Sequence, residues 1–127
     1  MVDWLILDEN NQEVELSPDK IYFLSHPCTS GDKTESENRV QEEAIYQFLV
    51  SKCKNVRVIR PLKIVPDNLE YNDAMDICFG LMDWSNISIF SPGWQTSNGC
   101  NDEYHYSSLI DIPTLSIVSK DFFNLGR

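Results

Sequence analysis

Positive charge is scarce in this chain of 127 residues: ten Lys and Arg stand against 20 Asp and Glu, for a net charge of −10. Such a surface repels a phosphate backbone, so no nucleic-acid partner is expected. A small anionic ligand stays compatible, because backbone N–H groups at a helix start outweigh net charge at close range. Cysteine is sparse: Cys28, Cys53, Cys78 and Cys100 stand 25, 25 and 22 residues apart. With no C-x-x-C pair and no paired histidine nearby, they form neither a zinc pattern nor a dense disulfide framework. No apolar stretch approaches the ~18 residues of a membrane span. The opening MVDWLILDENNQ lacks the basic start and long apolar segment of a signal peptide. These absences lead us to expect a cytoplasmic protein with no membrane partner. Internal repeats and low-complexity segments are missing too.

What is present suits one small globular domain over 1–127. Hydrophobic residues make up 42 % of the chain and aromatics 11 %, enough for a modest core and against disorder. Residues 4–7 (WLIL) and 13–16 (EVEL) flank DENNQ, whose asparagines tolerate a left-handed turn, so 1–19 reads as an N-terminal β-hairpin extension. Ser17-Pro18-Asp19 marks a break. IYFLS (21–25), VRVI (56–59), ISIF (87–90) and TLSIV (114–118) are short apolar runs of strand type. Helical patterns lie between them. The first runs to about Cys53, with Val40, Ala44, Ile45, Phe48 and Leu49 on its apolar face and Thr34 and Glu37 spaced as a capping box. The second spans about 72–84, burying Ala74, Met75, Ile77, Cys78, Leu81 and Met82, and a third spans about 100–110.

The alternation of strands and helices predicts an α/β three-layer sandwich. Its sheet is expected to have four parallel strands, or slightly more, in a flavodoxin- or Rossmann-like arrangement beside the hairpin. In such open sheets ligands bind beyond the carboxyl ends of the strands. That rule selects the loop Ser25-His26-Pro27-Cys28-Thr29-Ser30-Gly31, a helix carrying Asp76 and Asp83, and the stretch Trp94 to Glu103.

In the last stretch small polar residues, Ser97, Asn98 and Gly99, lead into a helix whose backbone N–H groups attract an anion or a polarised hydroxyl. Glu103 falls in its first turn, where a carboxylate also serves as a plain cap. The other candidates carry plain readings as well. His26 either contacts a phosphate or sits solvated in its loop, and Trp94 either stacks on a base or packs the loop on the sheet. Asp76 and Asp83, seven apart, share a helical face that is either a paired-carboxylate site or solvated surface. Asn38 and Arg39 are candidates for a 5′-phosphate. His105 faces an undetermined direction, and Cys28 and Cys100 read as loop or core thiols.

The run IYFLSHP, the helix with Asp-x6-Asp and the stretch W-x2-S-x-G-C-x2-E together resemble a small family of bacterial and phage proteins within the nucleoside 2-deoxyribosyltransferase-like superfamily, over residues 20–118. The resemblance implies N-glycosidase or deoxyribosyltransferase chemistry on a small nucleoside or nucleotide, with no metal or redox cofactor. By that resemblance Glu103 is the nucleophile, Tyr22 orients it, and Asp76 contacts the base or assists its protonation. Asp83 closes the same helix, and Ser97 and Gly99 hold the sugar or its 5′ substituent. Ser25, His26, Pro27, Trp94 and Asn98 complete the expected substrate-binding set. A homo-oligomer is also implied, since related enzymes complete their sites with a neighbouring subunit.

The chemistry follows from the groups. Cleaving an N-glycosidic bond develops positive charge at the anomeric carbon, which a carboxylate stabilises or bonds to. An acid of raised pKa protonates the departing base. Two departures favour other readings. Ser25-His26-Pro27 stands where many transferases have a glycine before the proline, and Tyr104-His105-Tyr106-Ser107 follows Glu103 where smaller apolar residues are common. A non-catalytic nucleotide-binding module that senses or sequesters its ligand is one alternative. A structural or interaction protein without a small ligand is the other.

Overall fold

The computed structural model describes residues 3–29 and 31–121; Met1, Val2, Ser30 of the first candidate loop, and residues 122–127 lie outside the description. The fold is α/β. Strands β1 (Trp4–Leu7), β2 (Ile21–Ser25), β3 (Arg57–Ile59), β4 (Ile87–Phe90) and β5 (Thr114–Ser119) alternate with helices α1 (Glu35–Lys52), α2 (Pro61–Ile64), α3 (Tyr71–Asp83) and α4 (Asn98–Leu109). A 3-10 turn, Trp94–Thr96, precedes α4.

The sheet has five strands in the order β1-β5-β4-β2-β3. β2, β3, β4 and β5 are parallel neighbours, whereas β1 lies antiparallel on β5, from Trp4 opposite Ser119 to Leu7 opposite Ser116. The sheet is therefore mixed, not the parallel sheet with a separate hairpin that the sequence suggests. The turn of that hairpin does form: Asn11 takes φ 60°, and Asp8 accepts the Asn10 and Gln12 N–H groups. The ladder does not form. Only an isolated bridge joins Leu7 to Glu13, because β1 satisfies its backbone on the open edge of β5 and buries Ile6 and Leu7 there. Val14 and Leu16 return along the sheet as packing residues, not as a strand.

Strand alternation divides the interior. Tyr22, Leu24, Ile89, Leu115 and Ile117 meet Ile45 and Leu49 of α1, while Phe23 meets Met75, Cys78 and Met82 of α3, with Tyr106 and Ile110 closing that side. α1 therefore covers one face, and α3 with α4 covers the other. The Thr34 hydroxyl accepts the Glu37 N–H and the Glu37 carboxylate accepts the Thr34 N–H, closing the capping box.

Two helix faces differ from the periodic reading. On α1 the inward positions are Asn38, Glu42, Ile45 and Leu49, while Val40 is 72 % exposed and Ala44 is also exposed. Two polar residues sit inward because each has a partner: Asn38 donates to the Cys28 carbonyl, and Glu42 receives Arg60. On α3, Ile77 turns outward.

Candidate active site

The chain passes from β2 to β3 on one side and from β3 over to β4 on the other, so the direction of winding switches between β2 and β4. An open α/β sheet leaves a crevice at the carboxyl ends of the strands there. Ser25 ends β2 and Ser91 follows β4, and the Ser91 N–H donates to the Ser25 carbonyl across the gap.

Alternation sends the two ends of this crevice to different faces. Ser25, in phase with Phe23, faces α4, and its hydroxyl donates to Glu103 Oε1 at 2.6 Å. Glu103 is only 6 % exposed. Burial raises its pKa from 4.5 to about 7, against the opposing hydrogen bonds from Ser25 and Cys78. The surrounding thiols answer in the same sense: burial raises Cys78, and raises Cys100 to about 12, with the Glu103 charge adding to each. Both thiols therefore stay protonated at neutral pH and are not nucleophiles.

Glu103 is placed by the start of α4. Gly93 adopts φ 79°, a left-handed turn that releases the chain from β4 into the Trp94–Thr96 turn. Ser97 then caps α4, its hydroxyl accepting the Cys100 N–H at 3.3 Å. Asn101 Nδ2 donates to the Gln95 and Ser97 carbonyls and ties the turn to the helix. Asn98 is exposed and Gly99 half-buried. Trp94 packs on Phe90 and stacks on Tyr104 with ring centroids 4.9 Å apart, so one indole face is already covered. The hydroxyl of Tyr71 donates to Asp102 one residue before Glu103.

On the α1 side His26 is 5 % exposed, with Nδ1 2.7 Å from Ser91 Oγ. Nε2 has no hydrogen-bond partner among the described residues. Burial lowers the His26 pKa to about 4, outweighing the pull of Glu42 and of the Asn38 backbone, so the ring is neutral at pH 7. A cavity of about 210 Å³ is lined by Pro27, Gly31, Lys33, Asn38, Pro92 and Thr96, among others. Gly31 matters here: at φ +94° a Cβ would stand 3.0 Å from Thr96 Oγ1, so glycine lets the loops after β2 and β4 close over the crevice. The cavity is smaller than the roughly 300–1,000 Å³ usual for ligand pockets, so it would take a small ligand or part of a larger one.

Ser25, Ser97, Gly99 and Glu103 are thus gathered on one side of the crevice, and His26 and Pro27 on the other. Two expected site residues, Tyr22 and Asp83, are not with them. Tyr22 faces α1, and its hydroxyl accepts the Ser17 N–H at 2.8 Å; strand alternation puts it on the opposite face from Glu103, and Ser25 holds the carboxyl instead. Asp83 ends α3 at the amino edge of the sheet, beside Asn86, and accepts from the Tyr106 hydroxyl. α3 runs antiparallel to the strands, so a seven-residue spacing carries Asp83 two turns away from the crevice. Asp76 is exposed on the crevice half of α3, next to Met75, whose Sδ lies 3.6 Å from where a Gly99 Cβ would stand. Arg39 is spent on Glu35, Asp67 and the Leu62 carbonyl, and His105 is exposed. Tyr22→Phe is expected to cost about 1–2 kcal/mol by leaving the Ser17 N–H unpaired, with no change in any activity of Glu103. Urea unfolding beside an activity assay checks this, and a loss of activity at unchanged stability would contradict it.

Ser91, Tyr71 and the Glu42–Arg60 pair are not singled out by the sequence, and Cys78 is expected from it only as a buried residue of its helix. Ser91 follows the apolar run ISIF, and the carboxyl-edge rule alone could have found it; the others have no local signal.

Residues 30–115 match the family model described as Domain of unknown function (DUF4406), which covers the crevice loop from Gly31, α1, β4 and all of α4. The chain belongs to that family. No curated protein and no solved structure matches this DUF4406 chain. Among the described residues, no group of three or more His, Cys, Asp and Glu is arranged to hold a metal ion, and no helix is long and apolar enough to cross a membrane.

Proposed function

We propose that this DUF4406 domain cleaves or transfers the N-glycosidic bond of a small nucleoside or nucleotide, as a member of the nucleoside 2-deoxyribosyltransferase-like superfamily. The observation that carries the reading is Glu103: a carboxyl 6 % exposed, aimed at the switch-point crevice, held by Ser25 Oγ at 2.6 Å and tuned to about 7. A structural carboxylate has no need of that arrangement, since the fold would be more stable with a neutral group there.

The ionised Glu103 attacks the anomeric carbon, the carbon–nitrogen bond breaks, and the base leaves with its bonding pair and takes a proton from solvent or a nearby acid. Water then displaces Glu103 to complete hydrolysis, or a second base does so to complete transfer. Since the ionised form is the nucleophile, kcat/KM should rise tenfold per pH unit below about 7 and level off above it. Ser25→Ala removes a hydrogen bond that favours ionisation, so it should move this limb to higher pH. The test incubates the protein with a panel of nucleosides and 5′-nucleotides, with and without a second free base, and separates released from exchanged base by chromatography. Glu103→Gln should reduce release by at least ~10³-fold, the scale at which losing a covalent nucleophile acts. Absence of release across the panel would count against the proposal.

One observation favours a second reading, a nucleotide-binding module without turnover: the described cavity is lined by the α1-side loops, and Glu103 is not among its lining residues. Calorimetry showing undiminished nucleotide binding by Glu103→Gln, alongside no product from the native protein, would select it.

A further inference from the structure

We propose that the outward face of α3 and α4, toward their carboxyl ends, is a docking surface for a basic, amphipathic segment of another protein. On α3 the positions Asp73, Ile77, Gly80 and Trp84 follow one another by four, three and four residues, so they form one stripe turned away from the sheet. Trp84 is 77 % exposed and Ile77 37 %. Between them Gly80 lies bare, since a Cβ there would meet nothing within 4 Å. Glycine in a helix interior loses stability through backbone entropy, and nothing in the described chain uses its small size. A neighbour packed closely against the helix would use it.

α4 lies beside α3 and runs the same way, joined to it by the Phe79–Tyr106 ring stack and the Tyr106–Asp83 hydrogen bond. Its last residue, Leu109, is 69 % exposed. Two large apolar side chains therefore stand at the same end of two adjacent helices.

Charge selects the occupant. No Lys or Arg occurs between Lys63 and Lys120, a span that holds eight Asp and Glu. Asp73, Asp76 and Asp83 on α3, and Asp111 after α4, are all exposed. Neither helix has a basic residue in its last turn, so both negative helix ends are uncompensated. His105 is the only side chain of this span able to take a positive charge. A second copy of this face, or an anionic lipid surface, would meet like charge. A helix presenting Lys or Arg beside Leu or Phe would complete the helix ends, pair the aspartates and place a cation over the exposed indole.

The test uses a labelled synthetic amphipathic helix of Leu and Lys about 18 residues long, and a mirror peptide with Glu in place of Lys. Fluorescence anisotropy should show the Lys peptide binding with an affinity that falls with salt, and no binding of the Glu peptide. Trp84→Ser with Leu109→Ser should weaken the Lys peptide at least tenfold, as should Asp83→Asn with Asp111→Asn, with circular dichroism and base release unchanged in both. Equal binding by native and Trp84→Ser/Leu109→Ser protein would mean general adherence to an acidic surface and would overturn the proposal. So would no binding at all, or a dimer in sedimentation that Trp84→Ser abolishes, which would make the occupant a second copy. The glycosidic reading of Glu103 stands or falls separately, since the substituted residues stand at the carboxyl ends of α3 and α4, at the amino edge of the sheet away from the crevice.

Discussion

Glu103→Gln is expected to stabilise the folded chain at pH 8 by roughly 3 kcal/mol and to leave its stability at pH 4 unchanged. The carboxyl titrates near 4.5 when unfolded and near 7 when folded, because burial disfavours its charged form. The folded state therefore binds this proton more tightly. Its contribution is fully present below pH 4.5, is lost as pH rises toward 7, and stays lost above. At 1.36 kcal/mol per pKa unit the span between the two values is worth about 3 kcal/mol. An amide has no charge to desolvate and its oxygen still accepts the Ser25 hydroxyl.

His26 works in the other direction. Its folded pKa is depressed from 6.5 to about 4 by burial, so its contribution is present above pH 6.5 and is lost as pH falls through 4. The two groups oppose each other between pH 4.5 and 6.5, and the native stability curve should be nearly flat there as far as they determine it. The Gln variant removes one of them and should show stability rising from pH 4 to 6.5. Urea unfolding at half-unit steps reads both curves; curves that stay parallel from pH 4 to 8 would show that Glu103 is not desolvated as described. Together with the loss of base release, the result would set a gain in stability against a loss of function at a single residue.

Arg60→Ala is expected to lower the unfolding free energy by about 3–5 kcal/mol, a large part of the 5–15 kcal/mol typical of a domain this size. Glu42 is 2 % exposed at its side chain and receives a bidentate fork, Nε to Oε2 at 3.0 Å and Nη2 to Oε1 at 2.6 Å. Nη2 also reaches Glu43 at 2.8 Å, and the guanidinium lies over the Tyr46 ring at 4.0 Å. Truncating Arg60 leaves a buried carboxylate with no counter-charge, and a lysine cannot restore the fork or the stacking. Replacing both partners, Glu42→Leu with Arg60→Met, should recover most of the loss, because the pair's desolvation disappears with its attraction. Denaturant midpoints of the two variants decide the matter; a loss under 1 kcal/mol for Arg60→Ala would mean that the pair is solvated.

Local chemistry determined much of this protein from the sequence alone. The four short runs read as strands because four or five apolar residues, rich in β-branched and aromatic side chains and flanked by turn-forming residues, are too short for a buried helix. α1 starts at Thr34 because Thr and Glu three apart, just before an apolar-periodic run, close a capping box through contacts within one turn. Glu103 falls in α4 near the carboxyl edge because that follows from element order. Facing was not legible in the same way. Periodicity assigns Val40 to the core of α1, but Glu42 is inward because an arginine 18 residues later reaches it. The motif near β2 suggests Tyr22 for Glu103, yet one step of strand alternation gives that role to Ser25. β1 leaves its own hairpin for an edge strand more than 100 residues away. Local propensity acts over a few residues and survives any tertiary arrangement. Which polar groups meet inside, what raises the pKa of Glu103, and which apolar side chains stay outside are settled only when distant segments pack and exclude water.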